Sequence, residues 1–416
     1  MKFILPVFRI ILIIFIPAIL LFSTCELIAQ NAKYDKIKSG LDSVRIKYEK
    51  VVNRTCPSLS ILIHTPADNI FASSVAEGET PLTKDTFFRF ASNTKNFTST
   101  SILNMQEDGW LSIKDKIVSN IPGSNISYVP NTPEFNIPYK DQITIEQLLQ
   151  HAAGVYDVDN DPVPGFDGYS YTDYMDFKDP SHQFELSELV YQAAKNNLSY
   201  FPPGKGYHYS NTGYTILSEI IERVYSHTSG STKKYADYIN DFITGSSAPV
   251  PLDISFPYLA RDVSIRPPFV KGTIWAKDST TIFTNVNMSS HVGEGNGYAT
   301  FEELDKFVRS NMKGQNVLNM NSVELMKNTV SDSNKTYGLG CIYIEDLGYG
   351  HNGCIKGYLS YMMYDPKTDV SVIIMTPVND YRYPGEEGIV YGLKALINAG
   401  FASRMALGFS GKVIQY

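Results

Sequence analysis

Ser92 and Lys95 stand three positions apart in the run Phe87-Phe88-Arg89-Phe90-Ala91-Ser92-Asn93-Thr94-Lys95. On a helix, residues i and i+3 share a face. A hydroxyl beside an amine at a helix start, among free backbone N–H groups and the positive end of the dipole, is what a lysine-activated serine nucleophile requires. The spacing alone is common, and Ser231–Lys234 and Ser310–Lys313 repeat it. Two further patterns also occur twice. Tyr209-Ser210-Asn211 is echoed by Tyr238-Ile239-Asn240, and His351-Asn352-Gly353 by His291-Val292-Gly293.

Context separates the copies. An aromatic run that reads as a strand end leads into Ser92, and the helix after it stops near Asp108-Gly109. Ser231 sits in a Ser/Thr/Gly loop and Ser310 at the end of a predicted helix, where no N–H group is free. Tyr238 and Asn240 fall inside a helical period and point to different faces. His291 lies in a polar, Gly-rich loop. Tyr209 and Asn211, in contrast, follow the turn Phe201-Pro202-Pro203-Gly204 and precede Gly213 and a helix, so both can face a cleft. Gly350-His351-Asn352-Gly353-Cys354 opens a strand region whose glycines permit close approach of a substrate backbone.

The elements that must position these residues are legible as periods of two or three to four. Tyr34 to Val51 is an amphipathic helix. Ser58–His64 and Ile70–Val75 read as a hairpin around Pro66-Ala67-Asp68-Asn69. Thr144-Ile145-Glu146-Gln147 is a capping box opening a helix that ends at Gly154. Residues 155–180 read as an irregular loop. Asp157, Asp159 and Asp161 there resemble a calcium loop, but Pro162 and Gly168 occupy the wrong positions, so a solvated loop is expected. Glu185–Asn196, Tyr214–Tyr225, Lys234–Ile243, Phe301–Met312 and Ser322–Lys327 read as helices. Tyr337–Glu345, Gly357–Tyr364 and Val370–Thr376 read as antiparallel strands, and Ile389–Ala399 as a closing helix. The expected fold is therefore α+β: one antiparallel sheet built from residues 30–90 and 335–416, flanked by helices, with a mainly helical insertion over 91–334.

Composition bounds the rest. A net charge of −7 with no basic cluster excludes nucleic acid as a partner. The 28 Tyr and 22 Phe suit a deep core and an aromatic cleft. No metal-ligand spacing is present, so no metal or cofactor is expected. Cys25, Cys56, Cys341 and Cys354 do not form a disulfide framework. Lys2 and Arg9 before the apolar run Ile10–Phe22 read as an export signal over residues 1–29, with cleavage after Ala29. A lipoprotein anchor at Cys25 and an uncleaved anchor are the alternatives. The expected location is periplasmic or extracellular, with membrane contact only through that segment.

The chain resembles the serine beta-lactamase-related family of class C beta-lactamases, D-alanyl-D-alanine carboxypeptidases, D-aminopeptidases and esterases. The segments that carry this are Phe88–Lys95, Ile143–His151, Phe201–Gly204, Tyr209–Tyr214 and Gly350–Gly353, in the family's order. Ser92 is then the acylated nucleophile and Lys95 the base, its pKa lowered by burial. Tyr209 shuttles the proton, and Asn211 binds the substrate amide and positions Lys95. His351 contacts a substrate carboxylate or assists Tyr209. By the resemblance, the backbone N–H groups of Ser92 and Cys354 form the oxyanion hole, beside Gly353. His351 where a lysine is usual points away from a typical beta-lactamase. The expected substrate is an amide or ester, with a D-amino-acid peptide from peptidoglycan the leading example. A beta-lactamase and a penicillin-binding sensor without turnover are the alternatives.

Overall fold

The computed structural model describes residues 7–328 and 336–416, with side chains from residue 29 onward. The side chains of Lys2, Arg9, the Ile10–Phe22 run and Cys25 lie outside the described residues. Six strands form the central antiparallel sheet: β1 (Ser58–His64), β2 (Asn69–Val75), β3 (Ile342–Ile344), β4 (Gly348–Ile355), β5 (Tyr358–Asp365) and β6 (Val370–Thr376). Their spatial order is β2-β1-β6-β5-β4-β3. The two ends of the chain therefore meet in mid-sheet, with Ser60 opposite Met375 and His64 opposite Ser371.

Six helices frame the sheet and the site: α1 (Val7–Val52), α2 (Thr94–Glu107), α3 (Tyr171–Lys178), α4 (Asn211–Ser229), α5 (Phe301–Met312) and α6 (Glu387–Ala406). Among the described residues no helix is long and apolar enough to cross a membrane. The strands alternate between two buried faces, as a period of two requires. Ile61, Ile63, Val372 and Ile374 pack with Ile37 and Leu41 of α1 and Leu396 and Phe401 of α6. Leu62, Met362, Ile373 and Met375 face the larger core beneath the helical region. Each such side chain, fully buried, contributes about 1.5–3 kcal/mol.

α2 runs through that larger core and is buried from Thr94 to Met105. Phe97 stacks on Phe307 of α5 at 3.6 Å. The buried hydroxyls on α2 each find a partner: Ser99 donates to the Leu339 carbonyl at 2.6 Å and Ser101 to the Phe97 carbonyl at 2.8 Å. A buried helix rich in Ser and Thr is tolerated only when such groups are satisfied. The result is a rigid rod with Lys95 on its first turn.

The structure departs from the sequence reading in several places. Residues 155–180 contain α3, whose cap is the Ser170 hydroxyl accepting from the Asp173 N–H. This segment is short and rich in Asp and Tyr, which hides its period. The capping box at Thr144 and Gln147 is present, but its helix stops at Leu149. His151 then takes a left-handed φ of 57°. The predicted strand Tyr337–Glu345 shortens to β3, and the predicted helix Lys234–Ile243 divides into Tyr235–Tyr238 and a wider turn over Ile239–Thr244. α6 extends past both predicted ends.

Candidate active site

The short strand Phe88–Arg89 pairs with Tyr298–Ala299 and delivers the chain to a single tight turn, Ala91–Asn93, ahead of α2. Ala91 is held at φ 51°, a left-handed conformation rare for a residue with a Cβ. The turn is pinned on both sides. Thr94 Oγ1 donates to the Ala91 carbonyl at 2.7 Å, and Asn93 Nδ2 donates to the Phe90 carbonyl at 2.6 Å and to Ser360 Oγ at 2.9 Å. Strain retained by so many bonds is characteristic of sites where one atom must be aimed.

That atom is Ser92 Oγ. Lys95 Nζ lies 3.1 Å from it and donates as well to Asn211 Oδ1 at 2.7 Å, the Glu294 carbonyl at 2.9 Å and Glu294 Oε2 at 3.3 Å. The ammonium also lies 4.8 Å from the centre of the Tyr209 ring. The Ser92 hydroxyl acts on the Tyr209 phenol, favouring its ionised form against burial. Burial raises the Tyr209 phenol well above its usual range, so it is neutral at pH 7 and can pass a proton. Burial lowers Lys95, and the Glu294 and Asp157 carboxylates pull it part of the way back.

Gly353 lets β4 close on this turn. A Cβ there would sit 2.1 Å from the Phe90 carbonyl oxygen and 2.7 Å from Ser360 Oγ. β3 pairs with β4 only as far as Gly350, so beyond it one edge of β4 is open while the other stays paired with β5 through Ile355. Asn352 and Cys354 line the same cavity as Ser92. Burial pushes the Cys354 thiol up to about 12, so it is no competing nucleophile. Cys56 and Cys341 are buried free cysteines.

His351 does not line the Ser92 cavity, but its ring centre lies 6.3 Å from that of Tyr209. Side chains alternate along β4, and its imidazole turns inward, 1% exposed. Its Nδ1 faces the Asn352 carbonyl at 2.6 Å and its Nε2 the Tyr337 hydroxyl at 2.9 Å. Tyr337 continues to His151 Nε2 at 3.0 Å, and His151 Nδ1 accepts from the Ser210 N–H at 3.1 Å. Burial, with the Lys95 charge, takes His351 down to about 3. It is therefore a neutral link in a chain that ties β4 to the Tyr209 loop. A buried, neutral ring offers no charge to a substrate carboxylate, and its 6.3 Å approach to the Tyr209 ring keeps the other expectation, assistance to Tyr209, in place.

Four residues enter that sequence reasoning passed over. Asn211 Nδ2 donates to Asp159 Oδ2 at 2.6 Å, and the Asn211 N–H to Asp157 Oδ2 at 3.0 Å. His291 Nδ1 lies 2.5 Å from Glu294 Oε1 and 3.7 Å from Asp159 Oδ2. Lys95, Asn211, Asp159, His291 and Glu294 thus close a ring. Asp157 is 1% exposed, which overturns the solvated-loop reading. Burial and the neighbouring Asp159 lift it to about 7. Burial pulls the His291 imidazolium down, but Asp159 and Glu294 outweigh it and raise the group to about 9. Asp159, His291 and Glu294 are the residue types of a cation site, with ligand atoms within 4.8 Å. Here Lys95 and His291 supply the positive charge between the carboxylates. Glu294 lies 199 residues from Lys95, so no local spacing could reveal it.

The ring makes a testable demand. Burial favours a neutral Glu294, and Lys95 and His291 override it, so the carboxylate stays charged. That charge in turn favours a protonated Lys95. With the lysine as base, activity rises with pH as Lys95 loses its proton. Glu294→Gln removes the opposing charge, and the acid-side inflection of kcat/KM for a neutral ester is expected to move to lower pH by about 1–3 units. An inflection that stays in place would separate Glu294 from the base.

The second Tyr-x-Asn copy and the Ser310–Lys313 copy serve structure. Tyr238 is buried, and its hydroxyl accepts from Asn104 Nδ2 at 2.7 Å. Ser310 lies within α5 and Lys313 pairs with Asp369 at 2.8 Å.

Comparison with known proteins adds an independent line. The Beta-lactamase family matches residues 49–388. Penicillin-binding protein 4* of Bacillus subtilis (strain 168) is 31% identical over 165 residues, which are 39% of this chain and 29% of that protein. A probable fimbrial assembly protein FimD of Dichelobacter nodosus (serogroup H1) is 30% identical over 177 residues, covering 38% of its length. The matched segment thus spans well under half of these curated relatives. Among solved structures, D-amino acid amidase from Ochrobactrum anthropi SV3 complexed with D-phenylalanine superposes with a TM-score of 0.66 at 19% identity, over 89% of this chain and 99% of that one. A D-stereospecific amidohydrolase from Streptomyces sp. gives a TM-score of 0.64 at 21% identity, over 82% and 94%. These structures share the fold. With the family match running from the end of α1 to the start of α6, the chain belongs to the Beta-lactamase family.

Proposed function

We propose that the protein is an exported serine hydrolase that cleaves an amide or ester of a D-amino acid through an acyl-enzyme on Ser92. The observation that carries this reading is Ser92 Oγ held 3.1 Å from a fully buried Lys95 Nζ. Neutral Lys95 takes the hydroxyl proton as Oγ bonds to the carbonyl carbon. The proton passes through the Tyr209 hydroxyl to the leaving nitrogen or oxygen as that bond breaks. Water then enters by the reverse relay, releasing the acid and restoring Ser92. The backbone N–H groups of Ser92 and Cys354 receive the oxyanion, and a donor of this kind is worth roughly 3 kcal/mol. The basic and apolar pattern before Ala29 supports export to the periplasm or beyond. The fold shared with D-amino acid amidase supports the substrate class.

Intact mass after treatment with a fluorophosphonate tests the nucleophile. One adduct is expected on the wild-type chain and none on Ser92→Ala; equal adducts on both would place the nucleophile elsewhere. Similarity to Penicillin-binding protein 4* favours a second reading, in which penicillin acylates Ser92. A persistent penicillin adduct would mark a sensor or carboxypeptidase, and a quickly cleared one with released product a beta-lactamase.

A further inference from the structure

Tyr209 is gripped through its two chain neighbours by a single residue. The His151 carbonyl accepts from the His208 N–H at 3.1 Å, and His151 Nδ1 accepts from the Ser210 N–H at 3.1 Å. The His151 and Tyr209 ring centres are 4.2 Å apart. From His151 the hydrogen bonds run through Tyr337 to His351 and end on the Asn352 carbonyl. His151 and Tyr337 are each 3% exposed, and His351 is 1% exposed.

The two ends of this chain fix the direction of every proton in it. A backbone N–H only donates, so His151 Nδ1 is an acceptor. Burial, together with the Lys95 charge, holds His151 neutral, so its one proton is on Nε2 and goes to the Tyr337 oxygen at 3.0 Å. A backbone carbonyl only accepts, so the His351 proton is on Nδ1. His351, neutral for the same reasons, presents a bare Nε2, and the Tyr337 hydroxyl donates to it at 2.9 Å. Tyr337 is thus the member that accepts and donates through one oxygen. Without that oxygen a buried N–H of His151 and a buried lone pair of His351 both lose their partner, which costs more than an exposed contact does.

The chain joins two segments that carry different parts of the chemistry. Its first end holds the loop of Tyr209 and Asn211. Its last end holds β4 at Asn352, two residues before the Cys354 N–H, and Asn352 and Cys354 both line the Ser92 cavity. The spacing between the proton relay and the oxyanion donor therefore passes through Tyr337.

We propose that Tyr337 is a positioning residue for acyl transfer, setting the Tyr209 loop against β4 through a one-way hydrogen-bond chain from Ser210 to Asn352. It acts through Tyr209 and the oxyanion donor and touches no reacting atom. The proposal rests on the acyl-enzyme reading.

Fluorophosphonate labelling of Ser92 over a range of probe concentrations tests this, because it separates the saturated rate from the half-saturating concentration. Tyr337→Phe is expected to lower the saturated rate about 10- to 100-fold, since an offset near 1 Å in such a site costs up to about 10²-fold. The half-saturating concentration should stay within about threefold of wild type, the pattern of an interaction used only in the transition state. His351→Gln, whose amide oxygen gives the Tyr337 hydroxyl an acceptor, is expected to label at least about fivefold faster than His351→Leu, which gives none. Tyr337→Phe combined with His351→Leu should be no slower than the slower single variant, since members of one network do not add. A wild-type saturated rate in Tyr337→Phe, a loss carried by the half-saturating concentration, equal rates in the two His351 variants, or losses that multiply in the double variant each overturns the proposal. Thermal midpoints are taken on all variants, and if Tyr337→Phe does not fold the His351 pair decides. Absence of labelling on the wild-type chain is a separate result, and it overturns the acyl-enzyme reading.

Discussion

Ser92→Ala is expected to lower kcat/KM by on the order of 10⁴- to 10⁶-fold, the range seen when a nucleophile that acts as a unit with its base is removed. The loss should fall on kcat, because the cavity walls that bind the substrate are untouched. The substitution removes one acceptor from Lys95 and leaves Asn211 and Glu294 in place. Ala91 and its strained φ are likewise unaffected, so the thermal midpoint should stay close to wild type. A collapse of activity with an unchanged midpoint identifies chemistry; a parallel loss of both would mean that the turn had unfolded. Residual activity within tenfold of wild type would remove Ser92 from the mechanism.

Lys95→Met is the second large effect. The methionine keeps the length and removes the base, and loss of general-base help is worth typically 10²- to 10⁴-fold. Unlike Ser92→Ala, this change should also lower stability, because Glu294 is 2% exposed and loses one of its two counter-charges. Breaking a buried ion pair from one side costs about 3–5 kcal/mol, here moderated by the retained His291. The two variants therefore separate in a thermal scan while resembling each other in an assay. Measuring kcat/KM and the thermal midpoint on both gives the comparison, and full activity in Lys95→Met would assign proton removal to another group.

The parts of the site that were legible are those fixed by local geometry. Ser92 and Lys95 are three residues apart on one turn, and Tyr209 and Asn211 two apart in one loop, so spacing and turn signals place them. β1, β6 and the Thr144 capping box were readable for the same reason. What escaped was carried by contacts remote in sequence. Glu294 reaches Lys95 from a loop that, read alone, is only polar and Gly-rich. Asp157 looks solvated until α4 brings the Asn211 N–H onto it. His351 shows the same limit: its strand was expected, but the Tyr337–His151 link that holds its ring comes from residues remote in sequence.

The mid-sheet meeting of β1 with β6 has a consequence for how the molecule is made. Ser60 has Met375 as its partner, so the first hairpin has no neighbour on one edge until nearly the whole polypeptide has been synthesised. At 5–20 residues per second, that interval is roughly 15–60 s. Throughout it, Ile61 and Ile63 offer an unpaired apolar strand, the kind of edge on which other chains pair. Loop closure over such a distance must also be completed before the contact stabilises anything. Birth of the native state is therefore tied to the last strands to emerge, and a nascent chain stalled before Val370 would present a sticky hairpin and no finished sheet.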